Sequence, residues 1–532
     1  MSAHVIRFGI FEVDAQAGEL RKHGRRLKVS GQPFEILSAL LERPGKLVTR
    51  DELRARLWPD STVDFDHGLN AAINKLRQAL GDSISHPRFI ETLPRRGYRF
   101  IASIERPKLM IAVLPFENLD GDPEQNYFND GLTQEIITHL GRLDPQRLGV
   151  IAQTSVMQYK KASKRVHEIA RELRVDYILE GSVRRFGQRV RVAVQLIDAG
   201  DETCLWTETS ENHLRDILTV ENNIAQLVAS HIQLQVTAEK PPSAPPVEPE
   251  AHESCLRGRH QLRKLTREGA EKAIVHFEEA IRKDSACKLA YVGLAQAYVS
   301  LSTFYLAPLE AMPKAKAAAM TALELDDSLA EAHALLGLVT FFYDWDWPKA
   351  EREFKRALAL NPSLADAHLG YAGFLVSQGG HEEALSETRK SQELDPLPVC
   401  SRGEALWHFY VFRHYDEAIR RCRKAIDLEP NFFLAHTIMG WALGGEGRWA
   451  EAIAAGEIGR QLGDSPFAVA GLGFIYAKAG YRAKAGDILI ELTELSRQRY
   501  VCGYHMAVIH AALGEKDRAL EWLAKAHGER SD

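Results

Sequence analysis

A chain of 532 residues, 45% hydrophobic and 26% charged, has the make-up of an ordinary folded protein of about three or four domains. Its formal net charge of −5 would argue against nucleic acid only if spread evenly. Instead residues 1–106 hold 18 Lys and Arg against 13 Asp and Glu, an excess of five positive charges that leaves −10 for the remainder. The six cysteines are scattered with no CxxC pair, which argues against a disulfide framework or a cysteine zinc site. MSAHVIRFGI has no apolar signal core, and no run approaches the roughly 18 apolar residues of a membrane span, so a cytoplasmic protein without a membrane partner is expected.

Residues 5–30 alternate apolar and polar and predict a small antiparallel sheet. Pro33 opens a helix, PFEILSALLERPG, with Phe34, Leu37 and Leu41 inward and Gly45 at its end. Thr49 and Glu52 have the spacing of a capping box for the next helix, ELRARLW, which Pro59 ends. A third helix follows, in which Leu69, Ile73, Leu76 and Leu80 form one apolar stripe. Asn70, Asn74 and Arg77 form a second stripe with Lys75 and Gln78 further round, so from Leu69 to Leu80 the outward face carries amides and cations and no carboxylate. Gly81 stops this helix. RFIETL and YRFIA then read as a β-hairpin whose tip, Pro94-Arg95-Arg96-Gly97, is doubly basic. Amide and basic side chains on a helix can address base edges in a major groove, and arginines on a thin loop can reach phosphate or a minor groove. The bland alternative is a solvated helix beside a charged turn.

Over residues 5–104, this order of sheet, three helices and basic hairpin resembles the winged helix-turn-helix domain of OmpR/PhoB-type regulators. LRQALGD at the third helix and Gly97-Tyr98-Arg99-Phe100 in the wing strand carry the resemblance most specifically. It implies that the third helix enters the major groove of double-stranded DNA and the wing touches the minor groove. By position, Asn70, Asn74 and Lys75 would face bases, and Arg77, Arg95, Arg96 and Arg99 would contact phosphate or serve the wing. Pro94 stands where response-regulator members carry an arginine, which moves the wing contact to Arg95 or Arg96. Arg99 has an equal claim as a strand residue paired to a helix. The resemblance also implies tandem half-sites and hence a possible dimer. With the winged helix first, no room is left for a phosphoacceptor receiver, and there is no membrane span of the CadC/ToxR-like kind, so input is expected from the C-terminal four-fifths.

Residues 107–236 predict a small α/β domain in which strands alternate with helices. IAVLPFENLDGDPEQNYFNDGLTQEI and YILEGSVRRFGQRVRVAVQLID are similar to the TolB-N-terminal-like module found beside cyclase domains and tetratricopeptide regulators. Asp120, Asp122 and Glu124 are expected in a solvated turn rather than at a metal, and Asn129 or Asp130 at a helix cap. Residues 237–253, with five prolines, predict an exposed, semi-rigid linker.

From 254 to 532 the chain repeats. Ala350, Ala384, Ala418 and Ala452 are 34 residues apart, and Leu360, Leu394, Leu428 and Pro362, Pro396, Pro430 keep that step. This is the tetratricopeptide (TPR) pattern, in about seven units from roughly 255 to 528. The step back to Leu325 fails by one, which predicts an inserted residue near FFYDWDWP. His368 and His436 share a repeat position and are expected to pack rather than to bind metal.

The expected architecture is multidomain α+β: a winged helix (1–106), an α/β domain (107–236), a linker (237–253) and an all-α TPR superhelix (254–532). The expected function is sequence-specific DNA binding in transcription, controlled by a ligand, protein or peptide on the C-terminal modules, with the TPR concave face as the docking surface. The runner-up input scheme gives sensing to the α/β module and dimerisation or RNA polymerase recruitment to the repeats. The rival function is a TPR scaffold whose winged helix binds protein. No GxxxxGK, HExxH or GxSxG motif occurs, and no enzyme activity, cofactor or metal is expected.

Overall fold

The computed structural model describes residues 5–531 except 15–16, 23–24, 59–64, 86, 103–107, 123–124, 145–146, 161–163, 233–247, 265, 397–402 and 464. These form two units, Met1–Lys108 and Leu109–Asp532.

The first unit starts with a four-stranded antiparallel sheet, β1 (Val5–Phe8), β2 (Phe11–Asp14), β3 (Glu19–Lys22) and β4 (Arg25–Arg26). Then come α1 (Gln32–Glu42), β5 (Leu47–Thr49), α2 (Arg50–Leu57), α3 (Phe65–Leu80), β6 (Ile90–Leu93) and β7 (Gly97–Phe100). Both ends of the Thr49–Glu52 capping box are made at the start of α2. The short strand β5 has no alternating pattern to announce it. It pairs with β7, which also pairs with β6, so the hairpin is the edge of a three-stranded sheet. Phe8 and Phe11 of the first sheet stack edge-on against Phe89 and Phe100, which joins the two sheets through one core.

The second unit opens with β8 (Leu109–Val113), β9 (Glu117–Asn118), α4 (Asn126–Leu143), β10 (Leu148–Val150), α5 (Gln153–Val156) and α6 (Val166–Leu173). β11 (Tyr177–Phe186), β12 (Arg189–Asp198), β13 (Cys204–His213) and α7 (Ile217–His231) complete the α/β domain. Its sheet runs β10-β8-β11-β12-β13, parallel on the β8 side and an antiparallel meander after β11. Asn129 and Asp130 are not caps: α4 begins three residues before Asn129, and both side chains are buried inside it. Asp120 sits in a turn and accepts from the Arg185 backbone N–H (2.8 Å), while Glu124 lies outside the described residues.

Sixteen helices then pair into eight hairpins among the described residues, one more than the repeats predict. They are α8 (Pro249–Leu262) with α9 (Arg267–Lys283), α10 (Lys288–Phe304) with α11 (Pro308–Leu325), α12 (Ala330–Val339) with α13 (Trp347–Leu360), and α14 (Ala365–Ser377) with α15 (His381–Leu394). The others are α16 (Gly403–Val411) with α17 (Tyr415–Leu428), α18 (Phe433–Gly445) with α19 (Trp449–Leu462), α20 (Pro466–Lys478) with α21 (Arg482–Leu495), and α22 (Gly503–Ala512) with α23 (Lys516–Gly528). Ala350, Ala384, Ala418 and Ala452 are each fully buried at one position of the second helix, where only a methyl fits between helices. The missed step near FFYDWDWP is a π-helical turn, Thr340–Asp344, which takes up one extra residue. His368 and His436 each bond through Nε2 to the carbonyl six residues back, Pro362 (2.9 Å) and Pro430 (3.0 Å), and so fasten the loop before their helix.

The linker expected over 237–253 is cut short. Residues 237–247 lie outside the described residues, and Pro249 to Glu253 are the first turn of α8. The α/β domain and the repeats are one packed unit. Tyr127 (2.5 Å) and Arg185 (3.2 Å) hydrogen-bond to Glu253, and Arg259 of α8 pairs with Glu135 of α4. Asp130 takes Lys160 (2.5 Å) from its own domain and Arg263 (3.1 Å) from just past the end of α8. Further along the array, Arg142 meets Glu331 (3.0 Å), and the Ala152 N–H donates to the Leu394 carbonyl (2.7 Å). The first, third and fourth hairpins thus hold the α/β domain, so the early repeats carry an internal partner.

Candidate nucleic-acid interface

The apolar stripe Leu69, Ile73, Leu76 and Leu80 is buried against α1 and the sheets, with no member more than 2% exposed. Burying that stripe fixes the opposite face outward. Asn70, Asn74, Lys75 and Gln78 are all exposed on it. Asn70 is also anchored: its Oδ1 accepts from the Tyr98 hydroxyl (3.1 Å) and from Arg50 Nη2 (3.4 Å). Arg50 Nη1 donates to Tyr98 as well (3.2 Å), so the start of α2, strand β7 and helix α3 share one polar network. Neither Arg50 nor the role of Tyr98 is visible in helical periodicity; the GYRF motif was the available signal.

Arg77 is a correction. The wheel places it beside Asn70 and Asn74, yet it is only 5% exposed. Its Nη2 donates to the Ile90 carbonyl (2.8 Å) and to Thr92 Oγ1 (2.8 Å), so it bolts α3 to β6 instead of standing on the exposed face. Asp82, from the LGD motif, does the same for the loop: its carboxylate accepts from the backbone N–H groups of Arg88 (2.7 Å) and Ile90 (2.8 Å).

The wing tip is built for exposure. Leu93 to Arg96 close a turn through an Arg96 N–H bond to the Leu93 carbonyl (3.0 Å). Pro94 suits its second position, and the third needs positive φ, which Arg95 adopts at 60°. A long cation thus stands where glycine or asparagine is usual, at a cost of order 1–2 kcal/mol. Gly97 has no such choice: with φ at 150°, a Cβ there would lie 2.1 Å from the Val48 carbonyl oxygen. Arg95 and Arg96 are exposed. Arg99 is the second correction, since its partner is a strand residue and not a helix: it pairs across the hairpin with Glu91 (2.6 Å). Four of the seven expected contact residues, Asn74, Lys75, Arg95 and Arg96, are therefore exposed, and among the described residues their side chains bond to no other group. Asn70 is exposed but anchored, and Arg77 and Arg99 serve the scaffold.

Residues 24–100 match the C-terminal domain of transcriptional regulatory proteins. The first unit carries an OmpR/PhoB-type winged helix. Residues 107–227 match the second domain of HilA/YgeH-like transcriptional regulators, and 340–396 match a tetratricopeptide repeat. Transcriptional regulator HilA of Salmonella typhi is 27% identical over 416 residues, 76% of this chain and 73% of that protein. Putative adenylate cyclase 3 of Rhizobium meliloti is 33% identical over 243 residues, 43% of this chain and 40% of the cyclase, so this chain spans well under half of that relative. The RstA DNA-binding domain of Klebsiella pneumoniae, solved with its RstA box, is 28% identical, covering 18% of this chain and 96% of that one with a TM-score of 0.17. By its domains the chain is a DNA-binding transcriptional regulator that also carries tetratricopeptide repeats. No helix among the described residues is long and apolar enough to cross a membrane.

Proposed function

We propose that the chain reads specific operator sequences by laying α3 in the major groove, with Asn74 and Lys75 on base edges and Arg95 and Arg96 on the flanking phosphates or minor groove. The observation that carries this is the division of labour among the basic residues. Arg77 and Arg99 are spent on the scaffold, whereas Lys75, Arg95 and Arg96 are exposed on α3 and the wing tip. Asn70 acts through its bond to Tyr98, setting the angle between wing and helix. Two copies on tandem half-sites, and a protein contact such as RNA polymerase, complete the reading. The α/β domain and repeats form a single input unit, with a partner or ligand altering occupancy by binding the DNA-competent and incompetent states unequally. The regulator domains favour a role without catalysis, in the cytoplasm where the DNA is.

The test is footprinting of the full-length protein on its genomic DNA, followed by binding to a recovered site and to random duplex. Asn74→Ala is expected to cost about 1–3 kcal/mol on the site and little on random DNA. Equal losses on both would remove Asn74 as a reader.

A further inference from the structure

Where α4, α7 and α8 meet, the second unit buries a group of ionisable side chains that DNA reading does not use. Glu135 and His139 stand one turn apart on α4, and Glu221 faces them from α7. One ligand atom from each of the three lies within 4.8 Å of the others. Glu221 is 1% exposed, yet its Oε2 has no hydrogen-bond partner among the described residues. His252 of α8 is 4% exposed, and its Nε2 is likewise unpartnered. Glu135 has given Oε1 to Arg259, which leaves Oε2 as a donor atom. Buried polar atoms are nearly always satisfied, so two orphans beside one cluster call for something to satisfy them.

We infer that Glu135, His139 and Glu221 form a site for a first-row divalent cation such as zinc. Two residues four apart on a helix present their donors on one face, and a third donor from a facing helix completes the three-ligand set of an open zinc site. Donors around such an ion lie roughly 3.4 Å apart, within reach of rotamer changes in two flexible glutamates. One imidazole with two carboxylates favours zinc or its neighbours over magnesium or calcium, which take oxygen alone. The ion gives the orphaned Glu221 oxygen a partner, and a water or the His252 imidazole takes the fourth position. With His252 in that position, the ion also ties α8, and so the first repeat, to the α/β domain. The sequence hides this site, because Glu221 is far along the chain from the EIITH run.

The test uses the full-length protein, dialysed against chelator and titrated with zinc in competition with a chromophoric chelator. One equivalent of tight binding and a rise in Tm of the second unit are expected. Glu221→Gln, which keeps the shape, should weaken that equivalent by at least about 100-fold, given that even outer-shell changes cost about 10–100-fold. His139→Gln should do the same and decides the matter if Glu221→Gln fails to fold. Zinc binding that is absent, or unchanged in folded His139→Gln because surface histidines account for it, overturns the site. Loss of DNA binding would not affect this measurement.

Discussion

The winged helix and the α/β–TPR unit use arginine in opposite ways. At the wing tip Arg95 and Arg96 point outward from a tight turn, and Arg95 accepts a left-handed backbone to do so. In the second unit Arg259, Arg263 and Arg142 point inward, each closing on a carboxylate of α4 or its neighbouring repeat. Composition alone cannot separate the two uses. What separates them is whether the fold brings a carboxylate or carbonyl across from the guanidinium. Arg77, one helix turn from Asn74, shows how local the decision is: same stripe, opposite use.

The comparison is broken most forcefully at Arg259. Arg259→Met leaves Glu135 buried without its cation and should cost about 3–5 kcal/mol of stability in the second unit. Chemical denaturation followed by a probe in each unit would read this, and the winged-helix transition should not move. The counterpart in the first unit is Gly97→Ala. Its Cβ collides with the Val48 carbonyl, so β5 parts from β7 at a cost of about 3 kcal/mol, with the second unit unchanged.

Acid separates the units more gently. His408, 2% exposed, is held to about 4 by burial, below its ordinary 6.5. The folded repeats therefore bind fewer protons than the unfolded chain. Stability is complete above pH 6.5 and falls as pH drops toward 4, by on the order of 2–3 kcal/mol for this group. His408→Asn should flatten that slope in a melting series from pH 7.5 to 4.5. No buried histidine occurs among the described residues of the winged helix, which should show no such step. Smallest is Arg95→Gly: relief of the positive φ, offset by glycine's unfolded-state entropy, should leave a gain of about 0.5 kcal/mol alongside weaker DNA binding.

Most of the winged helix was legible because its signals are local. The capping box, the four-residue stripe and the Pro-Arg-Arg-Gly tip each fall within a few residues, and each formed as spaced. The 34-residue step likewise located the repeats and even the extra residue of the π turn. What failed was reach. A wheel fixes where Arg77 leaves the helix, but its long side chain bends back to Ile90. The packing of the α/β domain on the repeats joins residues more than 100 positions apart, as in Arg259 with Glu135, and no periodicity encodes it. The proline-rich composition that suggested a semi-rigid, exposed linker up to residue 253 ran into a helix because proline also opens helices, here at Pro249.

The account turns on the claim that exposed Arg96 meets DNA while buried Arg77 holds the scaffold. The direct measurement is the salt dependence of operator binding for the full-length protein, Arg96→Ala and Arg77→Met, with Tm of the first unit recorded for each. Arg96→Ala should flatten the slope of log K against log salt by about 0.9 and leave Tm unchanged. Arg77→Met should lower stability by about 1–3 kcal/mol and, where still folded, keep the parental slope. A folded Arg77→Met that flattens the slope while Arg96→Ala does not would contradict the account.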